Sequence, residues 1–394
     1  MVSEPAPARP AAPVAGRLSW LRNNLDAVTW WLLRAFALSI SVSIFVSQLL
    51  LVLTATAAAI DWWTRGRPRV RTPLDLPIAC FALSSLLAAF LGLDPLESLY
   101  GLRTYLQIVV IYLVYAYARA GDRSLSLVVC FLVGIAVTSA YRVLGALSPL
   151  PLPRLFLGQM TQSGQLLFAV GLALPLLLRR VFPIRPLRFA LALYVVALVL
   201  NLKRGVWLGA VAAVVMVGLL ASRRLVLVAG LVIALAVATV PPVRARVANS
   251  ARDLFLPGNR YDIWVAAIDI VKRFPMGVGR KNGEILRDYP NIPQHHKHAH
   301  NNLLQITLEG GYLGLCMFLW WMATFGFLAW RVYCRVPAED RALEALAVGI
   351  LASFVGFHVA GLVEYNFGDS EVLEIFFMVM GLGLVVNERT RRDR

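Results

Sequence analysis

Charged residues are scarce in this sequence, and that scarcity excludes an ordinary soluble enzyme. Only 15% of the 394 residues are Asp, Glu, Lys or Arg, whereas soluble domains usually carry about 25%. Acidic residues are the rarer kind, with 22 against 38 basic ones. Long polar stretches are also missing, apart from one near residues 243–300. These absences indicate a protein that spends most of its length in a membrane.

Several common chemical signatures are absent as well. The four cysteines are scattered in or beside apolar segments, with neither a metal-ligand spacing nor a disulfide framework. The sequence has no GxGxxG pattern, no P-loop and no Asp-x-Asp pair. We therefore expect no cofactor and no metal site of these kinds. The net charge of +16 lies largely in short loops between apolar runs, which favours membrane orientation over nucleic-acid binding.

Apolar runs fill most of the remaining sequence. Hydrophobic residues make up 59% of the chain, in runs of roughly 17–25 residues that can cross a bilayer core. They predict an all-α, polytopic transmembrane bundle of about twelve helices with one long loop. The predicted segments are a tail at 1–26, nine helices in 27–240, the long loop at 241–301, three helices in 302–387 and a tail at 388–394.

The basic residues predict the orientation of this bundle. With twelve spans and both tails in the cytoplasm, the basic clusters near 65–71, 179–188 and 223–224 all fall on the inner side. Short outer loops receive almost none, as the positive-inside rule requires. The long 241–301 loop then faces outward, which in a bacterial inner membrane is the periplasm.

Four of the five histidines lie within six residues, at 295–300, where this loop meets the tenth predicted helix. Asn301, Gln305 and Glu309 follow at helical spacing and give that helix one polar face. Titratable groups at the mouth of a membrane helix indicate a functional site. Three interpretations stay open on spacing alone: a zinc site, a solvated loop, or a general base such as His300 with His298 nearby.

Basic residues on the predicted outer side supply a second kind of chemistry. Lys203 and Arg204 form a tight turn between helices, suited either to a phosphate ligand or to ordinary lipid headgroups. Arg260 opens an amphipathic helix in the histidine loop, and the glycine turn Pro275–Gly279 follows it. That turn could approach a ligand or simply stop a helix. Further candidates on the outer side, with less support from the pattern, are Glu364, Arg142 and Arg103.

These residues resemble a known family. His300-Asn301, nine residues and then Gly311-Tyr312-Leu313-Gly314 are similar to the His-Asn-x9-Gly-x-x-Gly motif of bacterial O-antigen ligases. Lys203-Arg204-Gly205 and Arg260 resemble the two arginine sites of that family. The helix layout is similar too, and it resembles GT-C-type glycosyltransferases. O-antigen polymerases and protein O-oligosaccharyltransferases share the motif, so the superfamily is better specified than the substrate.

The resemblance implies a metal-independent, inverting glycosyl transfer on the periplasmic face of the inner membrane. The donor would be O-antigen polysaccharide on undecaprenyl diphosphate, and the acceptor the lipid A-core of lipopolysaccharide. His300 would be the general base, while Arg204, Arg260 and Lys203 would hold the diphosphate. Asn301, His298, Glu364, Arg142 and Arg103 would contact substrate. A polyprenyl-glycan transporter and a zinc hydrolase remain as alternatives of other classes.

Overall fold

The computed structural model describes residues 14–65, 70–148, 158–293, 295–337 and 339–392. The first part of the predicted N-terminal tail, most of the 65–71 basic cluster and the last two residues lie outside these ranges. Every regular element in the described residues is a helix, and none is a strand. The all-α prediction is therefore confirmed.

The helices follow the apolar runs closely. Their bounds are α1 Val14–Ser39, α2 Ile44–Arg65, α3 Asp75–Leu91, α4 Pro95–Gly101, α5 Val109–Tyr117, α6 Arg123–Leu147, α7 Gln159–Leu178, α8 Ile184–Leu200, α9 Arg204–Ala221, α10 Arg223–Thr239, α11 Pro241–Ala248, α12 Ser250–Phe255, α13 Arg260–Arg273, α14 Asn302–Tyr333, α15 Arg341–Gly361 and α16 Ser370–Arg392. Three 3-10 helices accompany them, at Leu102–Ile108, Asn282–Asp288 and Asn366–Gly368.

Eight helical segments are long and apolar enough to cross a membrane in the described part of the chain. A ninth is obtained if α10 and α11, which are bent by 98° at their junction, form one span. Helices occur at all twelve predicted positions, but α3 and α8 have only 17 residues. At 1.5 Å per residue such helices reach about 26 Å, just short of a bilayer core. A polytopic helical bundle is confirmed, and the count of twelve spans stays a prediction.

The largest difference from the sequence prediction lies at the first helix. The predicted tail extended to residue 26, but the structure continues α1 back to Val14. The reason is local: the prolines end at Pro13, and strong helix formers, among them Ala15, Leu18, Leu21 and Leu25, recur among the residues that follow. The helix ends at Ser39, and residues 40–43 separate it from α2.

The centre of the bundle is formed by α7, α15 and α16. Of the residues in the most apolar stretch of each helix, 83%, 67% and 89%, respectively, are buried. Phe357 of α15 stacks on Phe376 of α16 with ring centroids 4.1 Å apart. Small residues bring α9 against α15: a Cβ on Gly209 would lie 2.5 Å from the carbonyl oxygen of Gly356. This packing fixes the start of α9 beside the residues that follow α15.

A second, smaller core holds the long loop onto α14. Ile263, Ala266 and Ile270 of α13 pack with Val278 and Leu308, all of them almost fully buried. Since α13 has an apolar stripe on one face and charged residues on the other, it lies on the bundle as an amphipathic helix. The part of the loop from α13 to α14 is therefore packed onto the bundle.

Candidate active site

The start of α14 positions the predicted base. Asn301 is the N-cap, and its side-chain oxygen accepts from the amide of Leu304 at 3.0 Å. Its side-chain nitrogen donates to the carbonyl of Leu362 at 2.7 Å. Asn301 thus joins the histidine segment to the end of α15. His300, immediately before it, has a φ of +47°, a conformation that is uncommon for a residue with a side chain and is found often at functional sites.

A break in α14 explains the glycines of the motif. Gly311 has a φ of +66° and interrupts the helix. The glycine turn fits into this break. The backbone amide of Tyr312 donates to the carbonyl of Pro275 at 3.0 Å, and the backbone amide of Gly279 donates to the carbonyl of Glu309 at 3.1 Å. A Cβ on Gly311 would lie 2.3 Å from the oxygen of Pro275. The turn therefore packs against the backbone of α14, directly after α13 ends at Arg273, and its predicted approach to a ligand stays a prediction.

The His300 imidazole lies between a histidine and a carboxylate. Its Nε2 is 3.3 Å from Nδ1 of His296, within reach of a hydrogen bond whose direction depends on the tautomers. Its Nδ1 is 3.9 Å from Oε2 of Glu364, too far for a hydrogen bond but close enough for charge attraction. The ring of His298 stands edge-on to it at 4.3 Å between centroids.

Glu364 also holds Arg260. The guanidinium of Arg260, at the first residue of α13, donates to Oε1 of Glu364 at 2.7 Å. Burial opposes ionisation of Glu364, but its proximity to His300 and the charges of Arg260 and Lys203 outweigh burial and lower the pKa of this carboxyl. Glu364 is therefore an anion at neutral pH, and it connects the predicted base to a predicted phosphate ligand.

The two cations of the Lys203-Arg204 turn have different surroundings. In the described residues no carboxylate lies within 4.0 Å of the Lys203 ammonium, whereas Arg204 donates to Oδ2 of Asp253 at 2.8 Å. Gly205 allows the turn to approach the site, because a Cβ there would be 2.5 Å from Cγ of Glu364. Lys203 therefore faces the same space as His300, while Arg204 is drawn toward α12.

Part of this group lines one cavity of about 340 Å³. Its charged and imidazole side chains are Lys203, His298, His300, Glu364 and Asp369, and Val206 and Val372 are its aliphatic ones. An imidazole beside a carboxylate can remove a proton from a hydroxyl, and a cation such as Lys203 can stabilise an anionic leaving group.

Part of the chain that forms this site is similar to known proteins. Residues 189–319 match the family model described as O-antigen ligase, and Lys203, Arg204, Arg260, His300 and Gly311 all lie within the match. The O-antigen ligase resemblance is confirmed. A Rickettsia conorii protein provisionally named a polysaccharide ligase is 29% identical over 90 residues, which are 23% of this chain and 18% of that relative. The chain thus spans less than a fifth of that relative's length.

Two further predicted site residues, Arg142 and Arg103, lie away from the His300 cavity. Arg142 donates to the side chain of Gln162 at 3.1 Å, and Asn201 donates to the same oxygen at 3.4 Å. Arg103 is exposed and stacks on Tyr100, with 3.8 Å between its guanidinium carbon and the ring centroid. Neither arginine lines the His300 cavity as the structure describes it. A contact with substrate at these positions stays a prediction.

His296 and His298 are neutral at physiological pH. Burial, and after it the nearby His300, lowers the pKa of His298 to about 4. The same two causes lower the pKa of His296. Neutral imidazoles can exchange hydrogen bonds with hydroxyl groups, but they add no positive charge for a phosphate. Over the ranges described, no group of three His, Cys, Asp or Glu side chains is arranged to hold a metal ion.

Sequence reasoning missed a buried ion pair beneath the site. Arg280 donates to Oε2 of Glu309 at 2.9 Å and to the hydroxyls of Tyr105 at 2.8 Å and Tyr365 at 3.1 Å. Both charged side chains are less than a tenth exposed. A signal was available, because Arg280 directly follows the glycine turn and Glu309 lies on the polar face of α14. The two side chains meet because the glycine turn enters the break in α14 at Gly311.

Proposed function

We propose that this protein transfers O-antigen polysaccharide from undecaprenyl diphosphate to the lipid A-core of lipopolysaccharide, on the periplasmic face of the bacterial inner membrane. The observation that carries the proposal is the arrangement around Glu364, with His300 on one oxygen and Arg260 on the other. The match of residues 189–319 to O-antigen ligases supports it. The alternation of basic loops supports the orientation.

In the first step His300 acts as the general base. With its Nδ1 turned to the anionic Glu364, Nε2 accepts the proton of the acceptor hydroxyl as that oxygen attacks the anomeric carbon of the donor sugar. The carboxylate orients the ring and stabilises the imidazolium that forms, as the acid does in a Ser-His-Asp triad. His296, 3.3 Å from Nε2, provides a route by which the proton then leaves to solvent.

In the same step the glycosyl-oxygen bond to the diphosphate breaks, and undecaprenyl diphosphate leaves with the bonding electrons. Lys203 borders the cavity that receives this charge. Arg260 contacts Glu364 on the wall of that cavity, and Arg204 is the next cation along the α9 turn. Fixed cations stabilise such a developing anion strongly. Attack opposite the leaving group inverts the anomeric configuration, and no divalent cation is needed in this mechanism.

Transfer by the purified, full-length protein tests this directly. The donor is undecaprenyl-diphosphate-linked O-polysaccharide, and three acceptors are offered separately: lipid A-core, a second donor molecule, and a serine-containing acceptor protein. We expect product on lipid A-core alone, unchanged by a chelator. Product only on the second donor would instead show a polymerase, and product only on the protein would show an O-oligosaccharyltransferase.

Variants in the same assay separate catalysis from binding. His300→Ala should abolish transfer while donor binding remains. His295→Ala is the matched control, because His295 belongs to the same cluster but is exposed. Full transfer by His300→Ala would overturn base catalysis. Movement of the donor across vesicle membranes without any glycosyl transfer would favour a transporter.

A further inference from the structure

Two more hollows continue from the His300 cavity. An inner one of about 250 Å³ shares His298, Tyr365 and Gly368 with it. An outer one of about 720 Å³ shares Glu97, Lys281 and Glu284 with the inner hollow. These shared residues place the three hollows next to one another, in a row that leads from His300 past His298 and Tyr365 to the exposed rim formed by α4 and the 3-10 helix Asn282–Asp288. We call this row the path.

The wall of the inner hollow differs in kind from that of the His300 cavity. It contains no aliphatic side chain; its polar groups include Thr104, Lys297, Gln305 and Glu309. The His300 cavity, by contrast, includes Val206 and Val372. The inner hollow therefore offers a polyprenyl chain less apolar contact than the His300 cavity does, and it suits a hydrophilic ligand better.

Along this path, the basic side chains of the inner and outer hollows are already paired with carboxylates. Lys281 contacts Glu97 at 3.1 Å, Lys297 contacts Glu284 at 3.0 Å, and Arg280 contacts Glu309 at 2.9 Å. Paired charges offer little net attraction to a phosphate, but their remaining lone pairs and N–H groups can bind hydroxyls. The chemical class that fits is an uncharged, hydroxyl-rich chain of sugars.

We propose that this path is the binding site for the acceptor glycan, with its terminal sugar in the inner hollow and the preceding sugars in the outer one. The inference rests on the proposed function and adds the location of the acceptor. At about 250 Å³ the inner hollow lies below the ~300–1,000 Å³ of drug-sized sites, which is appropriate for a single sugar ring. The acceptor hydroxyl enters the His300 cavity between His298 and Tyr365.

Filling the inner hollow tests the assignment. Thr104, on the 3-10 helix Leu102–Ile108, lines it, so Thr104→Trp should raise the KM for lipid A-core at least tenfold and leave the KM for the donor within twofold. Leu106→Trp is the matched control: it places the same side chain on the same helix, at a residue that is 74% exposed. We expect wild-type constants for the control. An unchanged acceptor KM in Thr104→Trp, or an equal rise in the donor KM, would overturn the proposal.

A milder variant and a binding measurement distinguish loss of acceptor binding from misfolding of Thr104→Trp. Lys297→Ala removes donors from the wall at an exposed position and should raise the acceptor KM severalfold in a protein that elutes like wild type. Calorimetry with delipidated core oligosaccharide should show binding to wild type and Leu106→Trp, and none to Thr104→Trp. Absence of binding to wild type would contradict the acceptor site.

The proposed function can fail separately. If wild type transfers glycan to a second donor molecule and not to lipid A-core, ligase activity is wrong. The acceptor site is then judged by whether Thr104→Trp raises the KM for that other glycan. If the product forms only on protein, the glycan-acceptor assignment is wrong as well.

Discussion

Glu364 and His300 face each other across 3.9 Å, although 63 intervening residues separate them in sequence. The other oxygen of Glu364 accepts from Arg260 at 2.7 Å. One carboxylate thus orients the proposed base and one of the proposed diphosphate ligands. Binding of the anionic donor at Arg260 would weaken its hold on Glu364 and leave more of that negative charge for the imidazolium. We therefore expect the proposed site to couple donor binding to proton removal.

Replacing Glu364 by Gln should separate these two roles. Glu364→Gln removes the charge that stabilises the imidazolium, so we expect kcat to fall at least about tenfold, which is part of the ~10²–10⁴-fold that general-base catalysis contributes. Donor affinity should be retained or increased, because Arg260 loses an anionic competitor. Steady-state kinetics with varied donor check both constants. A raised donor KM with unchanged kcat would contradict this role.

Arg260 should act on the donor. Arg260→Ala removes a cation from the diphosphate site, and we expect both a higher donor KM and a lower kcat, since the charge of the leaving group grows in the transition state. Arg260→Lys should recover only part of the lost donor affinity and kcat, because Lys lacks the bidentate geometry of Arg. Arg273→Ala is the control: it lies at the other end of α13, with its side chain 65% exposed. Equal losses in Arg260→Ala and Arg273→Ala would indicate a general effect on α13.

Gly311 should be required for folding. Gly311→Ala places a Cβ 2.3 Å from the oxygen of Pro275 at a φ of +66°, so we expect a loss of about 1–3 kcal/mol from backbone strain alone. Gly310→Ala is a close control, because a Cβ at this neighbouring position has no atom within 4 Å. Apparent melting temperatures in detergent compare the two. Similar melting temperatures for both variants would show that the turn and α14 do not pack this closely.

The buried pair of Arg280 and Glu309 should show strong coupling. Arg280→Met or Glu309→Gln alone leaves one charge buried without its partner, which typically costs about 3–5 kcal/mol. The double variant removes both charges and should be less destabilised than the sum of the single variants. Melting temperatures of all four proteins measure this coupling. Additive losses would show that the pair contributes little beyond its separate contacts.

His298 should give the protein a pH-dependent stability. Burial and the neighbouring His300 and His296 lower its pKa to about 4 from the ordinary 6.5, against the opposing attraction of Glu364. Unfolded chains bind a proton there below about pH 6.5. The stability associated with neutral His298 is therefore complete above that pH and is lost progressively as the pH falls toward 4. Melting temperatures between pH 7.5 and 5 should fall less in His298→Gln than in wild type. Parallel curves would contradict this.

The sequence allowed the helices and the central group of the site to be predicted, because both leave local signals. Apolar runs mark the spans, and the Asn301 cap and the glycines mark the start and the break of α14. The features that could not be predicted from the sequence depend on tertiary contacts. Arg280 and Glu309 meet only because the glycine turn enters the broken helix. Arg204 follows Lys203 in sequence, but Asp253 draws it toward α12, which no local pattern shows.

The most direct test of the account is the lipopolysaccharide banding pattern of a ligase-deficient host that expresses this protein. We predict that wild type and His295→Ala restore the ladder of O-antigen-bearing lipopolysaccharide, and that His300→Ala, at equal membrane abundance, does not. A ladder restored by His300→Ala would contradict base catalysis by this residue. No ladder with abundant wild type would contradict transfer to the lipid A-core of that host.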